Sequence, residues 1–221
     1  KTIYFEKEEY NALSRSFQAS MEFDLTITGA DLNEHTAIRV IHSDFMCGDP
    51  GTEFTDMRTV YPARTVTAFS SMLTGAAPEV HGMKSNFVPN LGVKCESVFD
   101  VLENNGLKGR LVGIAHLVDA FGEDIVETVS AVNDNDVIDY KLVETAKRVL
   151  EEENPDLLVL QLLSVDQTGH ARGSYNSEYV RKIEETDGIV QEFLSWCEQG
   201  GYLEDARIVI TSDHGQGKGI G

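Results

Sequence analysis

The sequence predicts an α/β protein built on a doubly wound, mostly parallel sheet with helices on both faces. Three observations predict it. Two apolar runs, Asp156–Leu163 (DLLVLQLL) and Arg207–Thr211 (RIVIT), read as strands buried on both sides. Strand and helix patterns alternate along the chain, as βαβ units require. Each apolar run ends in a loop carrying a carboxylate and an imidazole, and in open parallel sheets ligand sites form beyond the C-terminal strand ends.

The elements follow in order. Lys7–Ala19 reads as a polar-rich helix. Glu22–Thr28 and Thr36–His42 alternate apolar and polar residues, as half-buried strands do. Ser43–Glu53 is turn-rich. Glu96–Asn105 reads as a helix, with Gly106 just past its end. Arg110–Ala115 is a short apolar strand. Val137–Glu152 is a helix stopped by Asn154-Pro155. Asn176–Gln199 is a long amphipathic helix whose apolar stripe is expected to be Tyr179, Ile183, Val190, Phe193 and Cys197. No repeat or low-complexity linker interrupts the chain, so residues 1–221 are expected to form one domain.

Charge and cysteine usage narrow the setting. The chain has 221 residues, 18 Lys and Arg against 37 Asp and Glu, and a formal charge of −19. Binding to an extended nucleic-acid backbone needs clustered cations, so it is excluded. Docking on an anionic membrane is disfavoured for the same reason. The longest apolar runs fall far short of the roughly 20 residues a membrane helix needs. Cys47, Cys95 and Cys197 lack CxxC spacing, so neither a disulfide framework nor a thiolate zinc site is expected. With no basic-then-apolar leader at the start, a cytoplasmic location is expected.

The chemistry concentrates in three segments. Asp166-Gln-Thr-Gly-His170 follows the first apolar run and Asp213-His214-Gly215 follows the second. Asp and His together suit zinc and similar divalent ions. Two such pairs at neighbouring strand ends suit two metals flanking an in-line phosphoryl displacement. Either pair alone is more often a hydrogen-bonding pair; the shared position after buried strands favours metal. The third segment runs from Tyr61-Pro-Ala-Arg-Thr65 through Thr74-Gly75 to Pro78-Glu-Val-His81-Gly82. A hydroxyl at a helix N-terminus feels the positive end of the dipole, which favours its alkoxide. The plainer reading makes Thr65 an N-cap.

Together these segments resemble the alkaline phosphatase superfamily, and within it the type I phosphodiesterase/nucleotide pyrophosphatase family. The likeness rests on Arg64-Thr65, Thr74-Gly75, Pro78-x-x-His81-Gly82, Asp166-x-x-x-His170 and Asp213-His214-Gly215, in that order. It covers residues 61–221, while residues 1–60 contribute nothing recognisable. The resemblance implies an alkaline phosphatase-like core and a metal-dependent hydrolase cleaving a phosphodiester or pyrophosphate of a small substrate. Thr65 would become the covalent phosphoryl carrier. Asp213 and His214 would bind the metal that activates it, and Asp166 and His170 the second metal. Both ions are expected to be zinc, with manganese an alternative. His81 and Gly82 would belong to a structural turn.

The family pattern also has an Asp ending the first strand and a late His, often in Gly-His-Gly. Neither has an equivalent here, so the core is expected to be incomplete at both termini. Two alternatives stay open. One is a phosphomonoesterase or phosphonate hydrolase of the same superfamily; the other is a non-catalytic relative with an incomplete site. A sulfatase is disfavoured, because Thr65-Val-Thr-Ala-Phe lacks the Cys or Ser, Pro and Arg it needs. Gly215-Gln-Gly-Lys-Gly-Ile-Gly is not a P-loop, and Asn133-Asp-Asn-Asp136 lacks EF-hand spacing.

Overall fold

The computed structural model describes residues 35–42, 52–89, 91–129 and 134–216; of residues 35–42 and 52–57 it describes the backbone alone. The expected helix Lys7–Ala19, the strand Glu22–Thr28 and most of the turn-rich Ser43–Glu53 lie outside the described residues.

Six strands and seven α-helices are described. In chain order they are β1 (His35–His42), β2 (Thr52–Arg58), α1 (Thr65–Thr74), α2 (Pro78–His81), α3 (Val98–Asn104), β3 (Gly109–Gly113), α4 (Val118–Phe121), β4 (Val126–Thr128), α5 (Ile138–Glu153), β5 (Leu157–Leu160), α6 (Ser164–Arg172), α7 (Ser177–Gln199) and β6 (Arg207–Thr211). β3 lies between β4 and β5, and both pairings are parallel. Alternation along β3 sends Leu111 to one face and Val112 to the other. Leu111 packs with Val66, Phe69, Met83 and Phe99, from the segment containing α1 and α3, and with Leu117, which follows β3. Val112 packs with Ile138, Leu142, Ala146 and Val149 of α5 and with Leu163. Helices therefore cover both faces of a parallel sheet, as the sequence predicts.

The second sheet departs from expectation. β6 pairs antiparallel with β1, Val40 opposite Val209, and β1 pairs antiparallel with β2. Arg207–Thr211 was expected to be buried in the parallel sheet; instead Val209 is 57% exposed. An apolar run of five residues records β propensity but not the identity of its neighbours. The run Asp156–Leu163 is shorter as a strand than expected. β5 ends at Leu160, its residues are half-buried, and Leu163 is already the N-cap of the next helix.

Local signals explain most helix ends. Ser97 and Asp100 form a capping box at α3, each side chain bonding the other's backbone N–H. Asn176 caps α7 by accepting from the Glu178 N–H. α5 stops at Asn154, which adopts a left-handed conformation just before Pro155. Gly75 ends α1 the same way, at φ 66°.

Candidate active site

The site begins at the start of α1. Arg64 is the N-cap and makes no side-chain cap, so Thr65 is the first helical residue and not the cap. Asn86 supplies the missing acceptor, its Oδ1 taking the Val66 N–H at 3.0 Å. The motif beyond α1 is structural. His81 is fully buried; its Nδ1 accepts the Met83 N–H at 3.0 Å, which leaves Nε2–H to donate to Ser71 Oγ at 2.9 Å. Burial pulls the His81 imidazole below its ordinary value, with Lys84 adding to the effect and Glu79 opposing it. Gly82 follows at φ 82°, and a Cβ there would press on the Lys94 stem.

The segment expected to be a loop, Asp166–His170, is helical: it lies within α6. The four-residue spacing then places both side chains on one helix face, with His170 Nε2 3.4 Å from Asp166 Oδ1. The His170 side chain is half exposed, whereas Asp166 Oδ1 is buried and makes no hydrogen bond among the described residues.

The loop after β6 closes on both elements. Thr59 Oγ1 donates to the Asp213 carbonyl at 2.5 Å and ties the loop to the approach to α1. His214 Nδ1 lies 3.1 Å from the Gly215 carbonyl, which can only accept, so Nδ1 carries the proton. Nε2 is the ring nitrogen that faces the site. It lies 3.5 Å from Thr65 Oγ1, 3.5 Å from Asp213 Oδ2 and 4.0 Å from Asp166 Oδ1. Burial pushes the Asp213 carboxyl above the usual carboxylate range; Asp166 adds to this and His214 opposes it.

These atoms suit a cation in kind. Two carboxylates lie beside one imidazole, and Asp166 Oδ1 is buried with no hydrogen bond among the described residues. Among the described residues, however, no group of three or more His, Cys, Asp or Glu side chains is disposed to hold one ion. The structure thus brings Thr65, Asp166, Asp213 and His214 together, with His170 at the rim, as pairs of donors. Sequence reasoning misses Asn86 and the buried Asp139, because each acts on a backbone far along the chain.

Comparison with known proteins places the chain. The sequence profile of the family described as type I phosphodiesterase / nucleotide pyrophosphatase matches residues 48–101 and 119–219. The chain is 25% identical over 158 residues to the catalytic subunit of GPI ethanolamine phosphate transferase 3 of Mus musculus, covering 70% of this chain and 14% of that protein. It is 23% identical over 191 residues to ectonucleotide pyrophosphatase/phosphodiesterase family member 1 of Homo sapiens, covering 76% and 20%. It is 20% identical over 184 residues to the venom phosphodiesterase of Macrovipera lebetinus, covering 75% and 22%. The chain thus spans between about a seventh and a quarter of the length of these relatives. No helix among the described residues is long and apolar enough to cross a membrane. The profile match takes in all five motifs, from Thr65 to Gly215, and on it the chain belongs to the type I phosphodiesterase/nucleotide pyrophosphatase family, within the alkaline phosphatase superfamily.

Proposed function

We propose that this chain carries the phosphoryl-transfer centre of a metal-dependent hydrolase that cleaves a phosphodiester or pyrophosphate bond of a small substrate. The observation that carries the reading is the approach of His214 Nε2 to within 3.5 Å of Thr65 Oγ1 across 149 residues of sequence, at the N-terminus of a ten-residue helix. Family membership and relatives named for phosphodiesterase and pyrophosphatase activity support the class of bond.

The residues divide the work. Thr65 Oγ1 gives up its proton to solvent and attacks phosphorus; the Oγ1–P bond forms as the bond to the leaving oxygen breaks, that oxygen departing with the bonding pair and taking up a proton from solvent. Backbone N–H groups at the start of α1 favour the anionic phosphoryl group there. Water then attacks phosphorus, the Oγ–P bond breaks and Thr65 is regenerated. Asp213 and His214 would hold one divalent ion beside Thr65, and Asp166 and His170 a second. Such ions, zinc or manganese, would neutralise the converging carboxylates and lower the pKa of an oxygen they bind. The contact of Nδ1 with the Gly215 carbonyl holds the His214 ring with Nε2 toward Thr65.

Relatives named as ethanolamine phosphate transferases favour a second reading, in which a hydroxyl acceptor takes the place of water in the second step. A panel of bis-p-nitrophenyl phosphate, p-nitrophenyl phosphate and a p-nitrophenyl phosphonate, with added zinc or manganese, tests the first reading. The diester is expected to turn over fastest, and Thr65→Ala to lose at least about a thousandfold in kcat with metal content unchanged. Undiminished turnover in that variant overturns the nucleophile. Transfer to added alcohol in preference to water selects the second reading.

A further inference from the structure

We infer that Asp139 is a positioning residue for this centre, fixing the placement of α6 and with it the direction of Asp166; the inference rests on the metal-dependent reading above. The first N–H groups of any helix lack intrahelical partners. α6 has Leu163 as its N-cap, which supplies no side-chain acceptor. The acceptor comes from the first turn of α5, 24 and 25 residues earlier. Asp139 Oδ1 takes the Leu163 N–H at 2.7 Å and the Ser164 N–H at 3.1 Å. Asp139 Oδ2 takes the Ser164 hydroxyl, and the Thr186 hydroxyl of α7 stands 3.3 Å from it and 3.1 Å from Ser164 Oγ. Asp139 and Ser164 are each 2% exposed. One carboxylate therefore joins α5, α6 and α7.

Capping alone would need only a Ser or Asp at position 163. The lateral clamp does more: it fixes the rotation of α6 about its axis as well as its start. That matters because Asp166, two residues beyond Ser164, has a buried Oδ1 with no hydrogen bond among the described residues. That oxygen meets only the imidazoles of His170 at 3.4 Å and His214 at 4.0 Å, so its direction is set chiefly by the helix that carries it. Catalytic groups need placement to within about 0.5 Å, and the clamp supplies it from outside the donor set.

The test uses Asp139→Asn, which keeps shape and removes charge and one acceptor, and Thr186→Val, which removes a single hydroxyl. Zinc affinity is read by competition with a chromophoric chelator, kcat and KM with bis-p-nitrophenyl phosphate, and the Leu163 and Ser164 amides by hydrogen exchange without metal. Asp139→Asn is expected to weaken zinc binding roughly 10- to 100-fold, as loss of an outer-shell partner does. It should lower kcat with KM within about twofold and speed exchange at the two amides. Thr186→Val should shift all three in the same direction by less. Wild-type zinc affinity and kcat in folded Asp139→Asn overturn the inference, as does a variant that loses melting temperature alone. If Asp139→Asn does not fold, Thr186→Val decides on the same readouts. Failure of the metal reading is seen separately, in wild-type protein that binds no zinc, and the inference falls with it.

Discussion

The side chain of Gln216 lies directly over Gly169: a Cβ built on Gly169 would stand 2.5 Å from Gln216 Cδ and 2.7 Å from its Cγ. The contact joins the loop bearing Asp213 and His214 to the helix bearing Asp166 and His170, at the turn between those two residues. A side chain at position 169 would hold these two segments apart.

That contact gives the first prediction. Gly169→Ala raises intrinsic helix propensity by about 1 kcal/mol, so the variant should fold. Its kcat/KM on the diester should nonetheless fall by about tenfold or more, because Gln216 must move and the 213–216 loop with it. Gly169→Ala combined with Gln216→Ala removes the overlap and should recover part of the loss. A single variant with wild-type kcat/KM would show that the approach is irrelevant to the site.

Asn86 gives the second. Its Oδ1 is the side-chain acceptor that reaches the first turn of α1, at the Val66 N–H. Asn86→Ala should lower stability by about 1 kcal/mol, the usual loss for a missing helix-start acceptor. Asn86→Asp keeps the acceptor and adds charge favourable to the helix dipole, so it should stay near wild type in denaturant midpoint. Equal midpoints for the Ala and Asp variants would discount the cap.

These two contacts also mark where the sequence stops being legible. Asp166, His170, Asp213 and His214 stand out because residue type, spacing and position after apolar runs point to one chemistry, whereas Thr65 stands out only through the family resemblance of the motifs around it. That Asp166–His170 is a helix does not stand out, since Ser-Val-Asp-Gln-Thr-Gly-His has no apolar period and carries a glycine. Its helicity comes from tertiary partners, Asp139 at its start and Gln216 against its side. The stripe of α7 departs from expectation at one position: Tyr179, Val190, Phe193 and Cys197 are half-buried or buried, and Ile183 is not. Ile183 is 44% exposed while Lys182 is buried, because Lys182 pairs with Asp136 and Glu185 and its stem packs inward. The parallel sheet was legible from alternation of elements; the antiparallel partner of β6 was not, because pairing is a long-range property.

Cys197 gives a third prediction. Burial pushes its thiol up to about 11 from an ordinary 9.0, against a small opposing effect of Lys147. The raised value means that the unfolded chain loses this proton first as pH rises. The contribution to stability is therefore complete below about 9 and lost as pH climbs through about 11. Native protein at pH 8 should leave Cys197 unlabelled by iodoacetamide, with labelling appearing in urea, as read by peptide mass spectrometry. Rapid native labelling at Cys197 would contradict its burial.

His81 gives the last, at the other end of the pH scale. Its imidazole is buried and neutral, with Nδ1 accepting from Met83 and Nε2–H directed at Ser71. Protonation would place a second N–H against the Met83 N–H and a charge in a dry site. Its value in the folded protein lies below the ordinary 6.5, so in acid the unfolded chain takes up this proton first. Stability from this group is complete above that ordinary value and is lost as pH falls through the folded one. His81→Gln should be less stable than wild type at pH 7.5, since it breaks the turn that anchors α2 to α1. The deficit should shrink as pH falls below 6, because only wild type bears the protonation cost. Denaturant midpoints for both proteins at a series of pH values measure that difference, with the other histidines cancelling between them. A deficit that stays constant from pH 7.5 to pH 5 would mean that His81 takes up its proton alike in the folded and unfolded chain, and would overturn the lowered value.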